Sequence, residues 1–260
     1  VTNSHVIREA NSPVIRLNTT SGEKDVLEYE YSDWIHHPDG DDLAICLIDF
    51  PAEQFRVRFI DRDKYFLTQL QLRYFDIGVG DATFMVGRFI NLEGKQRNTP
   101  SVRFGNIAMM PDEPVRHPRG YMQESFLVET RSIGGYSGSP VFVHIPNYEN
   151  RFPEEPRGVV RLLGIDWGHI PFQTFDPIHP FDKVVDTKGK PHPDGWRVAA
   201  NSGMAAVVPA WKLNELLNSP ELLKQREQED EELIEKVRTG ELPSPAVLDS
   251  DNINSSEFNS

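Results

Sequence analysis

The sequence predicts an all-β protein, a barrel or a sandwich, closed by a C-terminal helix and followed by an acidic tail. Three observations point there. Short apolar runs rich in Val, Ile, Phe and Thr recur along the chain and often alternate with polar residues; Gly and Pro punctuate them; and helical periodicity is weak before Pro209. At 260 residues the chain has room for one large domain or two small ones with a sizeable core. No repeat recurs at a fixed period.

Taken in order, "VIRLN", "LAICLIDF", "FRVRFI" and "ATFMVGRFI" read as strands up to about Phe104, and the opening "VTNSHVI" is β-like. Between them, "DRDKYFLTQL" (Asp61 to Leu70) is compatible with a short helix, and "DIGVGD" has turn composition. A second set follows: "VRFGNIAMM", "SFLVETRSI", "SPVFVHI", "VVRLLGIDWG" and "MAAVVPA". From Gly168 to Asn201 the prolines, aromatics and histidines suggest an ordered surface excursion, and loops of that length usually carry function or move. "PAWKLNELLNS" places Trp211, Leu213, Leu216 and Leu217 at helical spacing, which predicts a helix packed on the β-structure. "SPELLKQREQEDEELIEKVRTG" reads as a second helix, strongly acidic. Residues 219–260 hold 11 Asp and Glu against 4 Lys and Arg, so this tail supplies −7 of the net −13. The polar end, "LPSPAVLDSDNINSSEFNS", is expected to be disordered. The tail is a solvated segment or, alternatively, a binding site for a partner.

Composition excludes several classes. A formal net charge of −13 argues against non-specific nucleic-acid binding, because phosphates would be repelled. No apolar stretch approaches the roughly 18–20 residues a membrane helix needs. The single cysteine, Cys46, rules out an intrachain disulfide and a cysteine-rich zinc site. It fits a reducing, cytoplasmic compartment, although a bacterial extracytoplasmic protein has the same look. The chain opens on Val1 with neither a charged start nor an apolar signal region.

The stretch "RSIGGYSGSP", Arg131 to Pro140, sets Ser137 among glycines before the apolar "VFV". A serine attacks a carbonyl only with help. It needs an imidazole to take its proton, a carboxylate to hold that imidazole, and N–H donors for the oxyanion. The α/β-hydrolase elbow, G-x-S-x-G, does not fit: Ser139 stands where its last glycine belongs, and strands here do not alternate with helices. Upstream, "VTNSHVI" carries His5, and "WIHHPDGDDLAICLIDF" sets Asp42 at the head of an apolar strand. His36 and His37 compete for the base but read as turn residues, and the "D-L-A" phase favours Asp42 over Asp41. His169, His179 and His192 lack metal-ligand spacing, so no metal and no cofactor are expected.

These three segments resemble the His, Asp and Ser signatures of trypsin-like (chymotrypsin-fold) serine peptidases, in that family's order and with separations of 37 and 95 residues. "VGDATFMVG", "LLGIDWGHI" and "GMAAVVPAWKLNELL" resemble further segments of its bacterial branch, extending the likeness over about Val1 to Leu217. The resemblance implies two antiparallel six-stranded β-barrels: 1–75 with His and Asp, its first strands missing, and 76–218 with Ser and a closing helix, before the 219–260 tail. It implies a serine endopeptidase that forms a covalent acyl-enzyme on proteins or peptides. Ser137 would be the nucleophile, His5 the base and acid, Asp42 its orienter, and the N–H groups of Gly135 and Ser137 the oxyanion hole. Asp166, Trp167 and Gly168 would lie along the cleft. Arg131, six residues before the serine, would sit at the base of the primary pocket and favour acidic side chains, or else be a surface residue. Tyr136 stands where many secreted members carry an aspartate that pairs with a new N-terminus, so that activation route is not expected. The alternative is a non-catalytic trypsin-like module used for binding or sensing.

Overall fold

Strand pairing begins at the N-terminus with short hairpins. The computed structural model describes residues 1–10, 12–48, 51–88, 97–130, 135–147, 152–155, 157–171, 181–183, 190, 197–199 and 201–241. Helix α1 (Ser4–Glu9) precedes strands β1 (Val14–Asn18) and β2 (Lys24–Glu28), which pair antiparallel from Val14↔Glu28 to Asn18↔Lys24. Strands β3 (Trp34–His36) and β4 (Ala44–Cys46) form a second hairpin. Ile7 of α1, Trp34, Ala44 and Cys46 bury one another in a small apolar cluster that Ile15 and Tyr29 cover. A barrel needs each strand bonded along both edges. Here the strands pair two by two, so where an incomplete first barrel is expected the described residues hold two hairpins. The expected strand "FRVRFI" is reduced to a single bridge, Thr19↔Phe55, and Phe59 beyond it is exposed.

The expected helix at Asp61 to Leu70 is two helices, and the break has a cause. Helix α2 (Arg62–Tyr65) is capped by Asp61, whose side chain accepts from Lys64 N–H, and α3 (Gln69–Tyr74) by a Thr68–Gln71 capping box. Between them Phe66 and Leu67 are buried, and the Leu67 N–H donates to the Leu162 carbonyl at 3.1 Å. That contact interrupts the helical hydrogen bonds.

The remaining strands close. They are β5 (Ala82–Arg88), β6 (Pro100–Met109), the short hairpin β7 (Val115–Arg116) and β8 (Met122–Gln123), then β9 (Phe126–Glu129), β10 (Pro140–Ile145), β11 (Val159–Pro171), β12 (Phe181–Lys183), β13 (Arg197–Ala199) and β14 (Asn201–Pro209). Six of them form one closed antiparallel barrel in the order β10-β11-β14-β9-β6-β5, with β5 returning to β10. Period-two alternation puts Val141, Val143 and Ile145 of β10 inside, with Met85, Ile107, Phe126, Val128 and Val207 also buried. Each such side chain contributes roughly 1.5–3 kcal/mol. On the outside, Phe84 stacks on Phe142 at 5.0 Å. Within the excursion after Gly168, β12 pairs with β13; its other residues lie largely outside the described ones. Helix α4 (Ala210–Leu217) follows β14 directly and buries Ala210, Leu213 and Leu216, as its spacing predicts. Trp211 packs edge-on against Phe126 and donates from Nε1 to Glu124 at 2.9 Å.

The chain divides into two compact units, residues 1–216 and 217–260. In the second, α5 (Pro220–Arg238) starts with Pro and ends with Lys236 and Arg238, a charge order that suits the helix dipole. The stretch expected to be disordered, 242–260, lies outside the described residues. No described helix is long and apolar enough to cross a membrane.

Candidate active site

Asp42 is held at its main chain and at both carboxylate oxygens. It is 1% exposed. Its main-chain N–H donates to Gln123 Oε1 at 2.9 Å, and its carbonyl accepts from Asn3 Nδ2 at 2.9 Å. Its Oδ1 accepts the His5 main-chain N–H at 2.9 Å and its Oδ2 the His5 ring Nδ1 at 2.6 Å. The sequence suggests that His5 ends a β-like segment; instead it lies in the first turn of α1. The reason is tertiary: Asn3, the N-cap residue, makes no side-chain cap, and the Asp42 carboxylate caps the helix from outside. With Nδ1 donating to the carboxylate, the lone pair of His5 lies on Nε2, the tautomer a general base needs. Burial pushes the Asp42 carboxyl up, but the hydrogen bonds and charge of His5, with a smaller contribution from His117, outweigh it and hold it below its ordinary value.

Ser137 comes from the turn before β10. Tyr136 anchors that turn: its ring is 1% exposed, its hydroxyl meets Ser101 Oγ at 2.8 Å, and the Arg103 guanidinium lies 4.8 Å from the ring centre. Gly138 has φ +86°, and a Cβ there would lie 2.6 Å from Thr2 Oγ1, so the turn tolerates only glycine against the N-terminal segment. The turn is tied to β11 by Gly138 N–H to Asp166 O at 2.8 Å and Asp166 N–H to Ser139 O at 2.9 Å. Gly135 has φ +96°. Among the described residues the N–H groups of Gly135 and Ser137 have no hydrogen-bond acceptor.

His5, Ser137 and Gly135 line one cleft of about 410 Å³ together with Trp167, Gly168 and His117. A second hollow of about 470 Å³ reaches Ser137 from the side of Thr2 and Val86 to Arg88. The serine hydroxyl does not bond to His5; it donates to the Trp167 carbonyl at 3.2 Å. Trp167 is free to meet it because β11 slips register between Asp166 and Gly168, leaving Trp167 without a partner on β14. Its indole N–H donates to Ser125 Oγ at 2.9 Å.

Of the other residues singled out in the sequence, Asp166 lines the cleft but is fully buried. Its Oδ1 accepts from Gly168 N–H at 3.3 Å and its Oδ2 has no partner. Burial pushes this carboxyl up to about 8, against the smaller downward pull of the Gly168 bond. His36 meets Ser4 Oγ at 2.7 Å, and His37 lies 3.4 Å from Asp41 Oδ2; neither lines the cleft of Ser137. Arg131, His179 and His192 lie outside the described residues. His117 was not legible in the sequence: a single histidine heading a "HPRGY" turn has no distinguishing signal, yet it packs 6.0 Å from His5. Among the described residues two groups offer metal-ligand atoms within 4.8 Å of one another, His5–Asp42–His117 and His37–Asp41–Glu215. In the first a metal would have to replace the His5–Asp42 hydrogen bond; in the second Glu215 is half exposed.

Fold and site together define a β-barrel protein in which a carboxylate-bound histidine and a serine in a glycine-rich turn face one cleft. No protein-family model matches the chain, and no curated protein does. Among solved structures it is similar to the crystal structure of the MamO protease domain from Magnetospirillum magneticum in its apo form. The two are 14% identical with a TM-score of 0.47, over 84% of this chain and 82% of that one.

Proposed function

We propose that the chain is a trypsin-like serine peptidase acting through Ser137, His5 and Asp42. One observation carries this: His5, whose Nδ1 is bonded to the Asp42 carboxylate, lines the same cleft as Ser137. In this mechanism the Ser137 hydroxyl must exchange the Trp167 carbonyl for His5 Nε2 as its acceptor. His5 then takes the proton as Oγ attacks the scissile carbonyl. The negative charge that develops on the carbonyl oxygen is met by the Gly135 and Ser137 N–H groups, which are unengaged among the described residues. His5 gives its proton to the leaving amine, an acyl-enzyme forms, and a water activated by His5 releases the acid. Trp167 and Gly168 line the cleft beside Ser137, where an extended peptide would lie along β11, and proteins or peptides are the proposed substrate class.

A second reading has its own support. The bond from Ser137 to the Trp167 carbonyl is what a non-catalytic binding module would keep. A fluorophosphonate probe separates the two. The expected outcome is phosphonylation of the 260-residue chain, absent in Ser137→Ala and slowed by several orders of magnitude in His5→Ala. A folded chain that the probe leaves untouched supports the binding module, and labelling that survives Ser137→Ala overturns the assignment of Ser137 as nucleophile.

A further inference from the structure

The hairpin β7–β8 belongs to the barrel half of the chain but holds Asp42 of the other half, and it does so from both ends. At one end Gln123, fully buried, accepts the Asp42 main-chain N–H and donates from Nε2 to Asp41 Oδ1 at 2.6 Å. At the other end stands His117, 2% exposed, whose Nε2 lies 3.5 Å from Asp42 Oδ2. We infer that His117 is a positioning residue, donating from Nε2 to the Asp42 carboxylate and so fixing the orientation in which Asp42 holds His5.

The tautomer follows from the turn. His117 Nδ1 accepts the Arg119 main-chain N–H at 3.2 Å, which leaves the ring proton on Nε2. That Nε2 is buried and, among the described residues, has no hydrogen-bond partner, the Asp42 Oδ2 lying 3.5 Å away. A buried donor without an acceptor costs about 1–3 kcal/mol, and the Asp42 carboxylate is the acceptor it faces. The ring cannot swing away: Tyr121 stacks on one side at 4.4 Å and 11°, and Trp167 packs at 4.4 Å and 36°. At the tip of the hairpin Arg119 pairs with Glu9 of α1, closing the rim of the same cleft. Burial, opposed by the Asp42 charge and assisted by Arg119 and His5, keeps His117 below its ordinary value, so it donates as a neutral ring. A neutral donor draws electron density from the carboxylate without cancelling its charge. Asp42 then stays an anion and leaves the Nδ1 proton on His5.

The assignment deepens the peptidase reading and rests on it for its catalytic consequence, although the contact itself does not. The first measurement is on the unaltered chain: nitrogen-15 shifts of the imidazoles should show His117 protonated at Nε2, and protonation at Nδ1 would overturn the inference. Two variants follow. His117→Phe keeps a ring between Tyr121 and Trp167 but removes the donor; His117→Gln supplies an amide donor in its place. Without the donor the carboxylate binds the His5 proton more tightly. The NMR titration of His5 should therefore move to higher pH in His117→Phe and return toward the unaltered value in His117→Gln. With a peptide ester, kcat of His117→Phe should fall about tenfold, the size of one lost bond to a charged group, and recover in His117→Gln. A His5 titration unmoved by His117→Phe overturns the inference. If the His5 shift appears while the fluorophosphonate leaves the unaltered chain unlabelled, the clamp stands and the peptidase reading fails.

Discussion

Asp166 shows how much a single carboxyl can weigh. It sits beneath the cleft with one oxygen bonded and the other without a partner, and burial holds it at about 8 against an ordinary 3.8. Between those two values the folded chain binds a proton that the unfolded chain has lost, so stability falls as pH rises through that window. Asp42 is the opposite case: held low by His5, its contribution is present above the ordinary carboxyl value and lost as pH falls through its lower folded value. The two windows do not overlap. Urea unfolding at about pH 5 and about pH 8.5 should show wild type losing on the order of a few kcal/mol on the alkaline side. Asp166→Asn should lose little. Equal slopes in both proteins would mean that the carboxyl is solvated. At this scale the sequence was partly legible. His5, Asp42 and Ser137 stand out as candidates because each sits in a short segment of recognisable type. His117 and the buried state of Asp166 depend on what packs around them, and no neighbour in the chain announces that.

Elements tell the same story through their ends. Helix α1 carries no acidic residue in its first turn and no side-chain cap of its own, so "VTNSHVI" looks like a strand. The Asp42 carboxylate supplies the cap from 37 residues away, joining helix formation to the geometry of the proposed base. Asp42→Ala should therefore cost about 1 kcal/mol of helix stability. Hydrogen exchange would read it as faster exchange at the amides of Val6 to Glu9, with β3–β4 protected as before. Unchanged protection in α1 would show that its packing through Ile7 suffices. The break between α2 and α3 is hidden in the same way, since Phe66 and Leu67 leave the helix to meet Leu162 on β11. By contrast the barrel strands β5 and β10 and helix α4 match their sequence pattern closely, because alternation or helical spacing there coincides with burial.

At the scale of the molecule, one closed barrel forms among the described residues, and the N-terminal half contributes hairpins, α1 and the carboxylate–histidine pair. Pairing between strands far apart in the chain cannot be read from local pattern, which is why "FRVRFI" has strand composition yet forms a single bridge. What joins the halves is specific: Thr2 against Gly138, Gln123 and His117 on Asp42, and Arg119 on Glu9. On this account the joining brings an activated histidine to a serine that waits on the Trp167 carbonyl. The most direct measurement is acid-quenched mass spectrometry of the chain during turnover of a nitrophenyl ester. The account predicts an acyl group, one per chain, on the peptide containing Ser137, formed in a burst and absent in Ser137→Ala. An acyl group on another residue, or none on a folded chain, would contradict it.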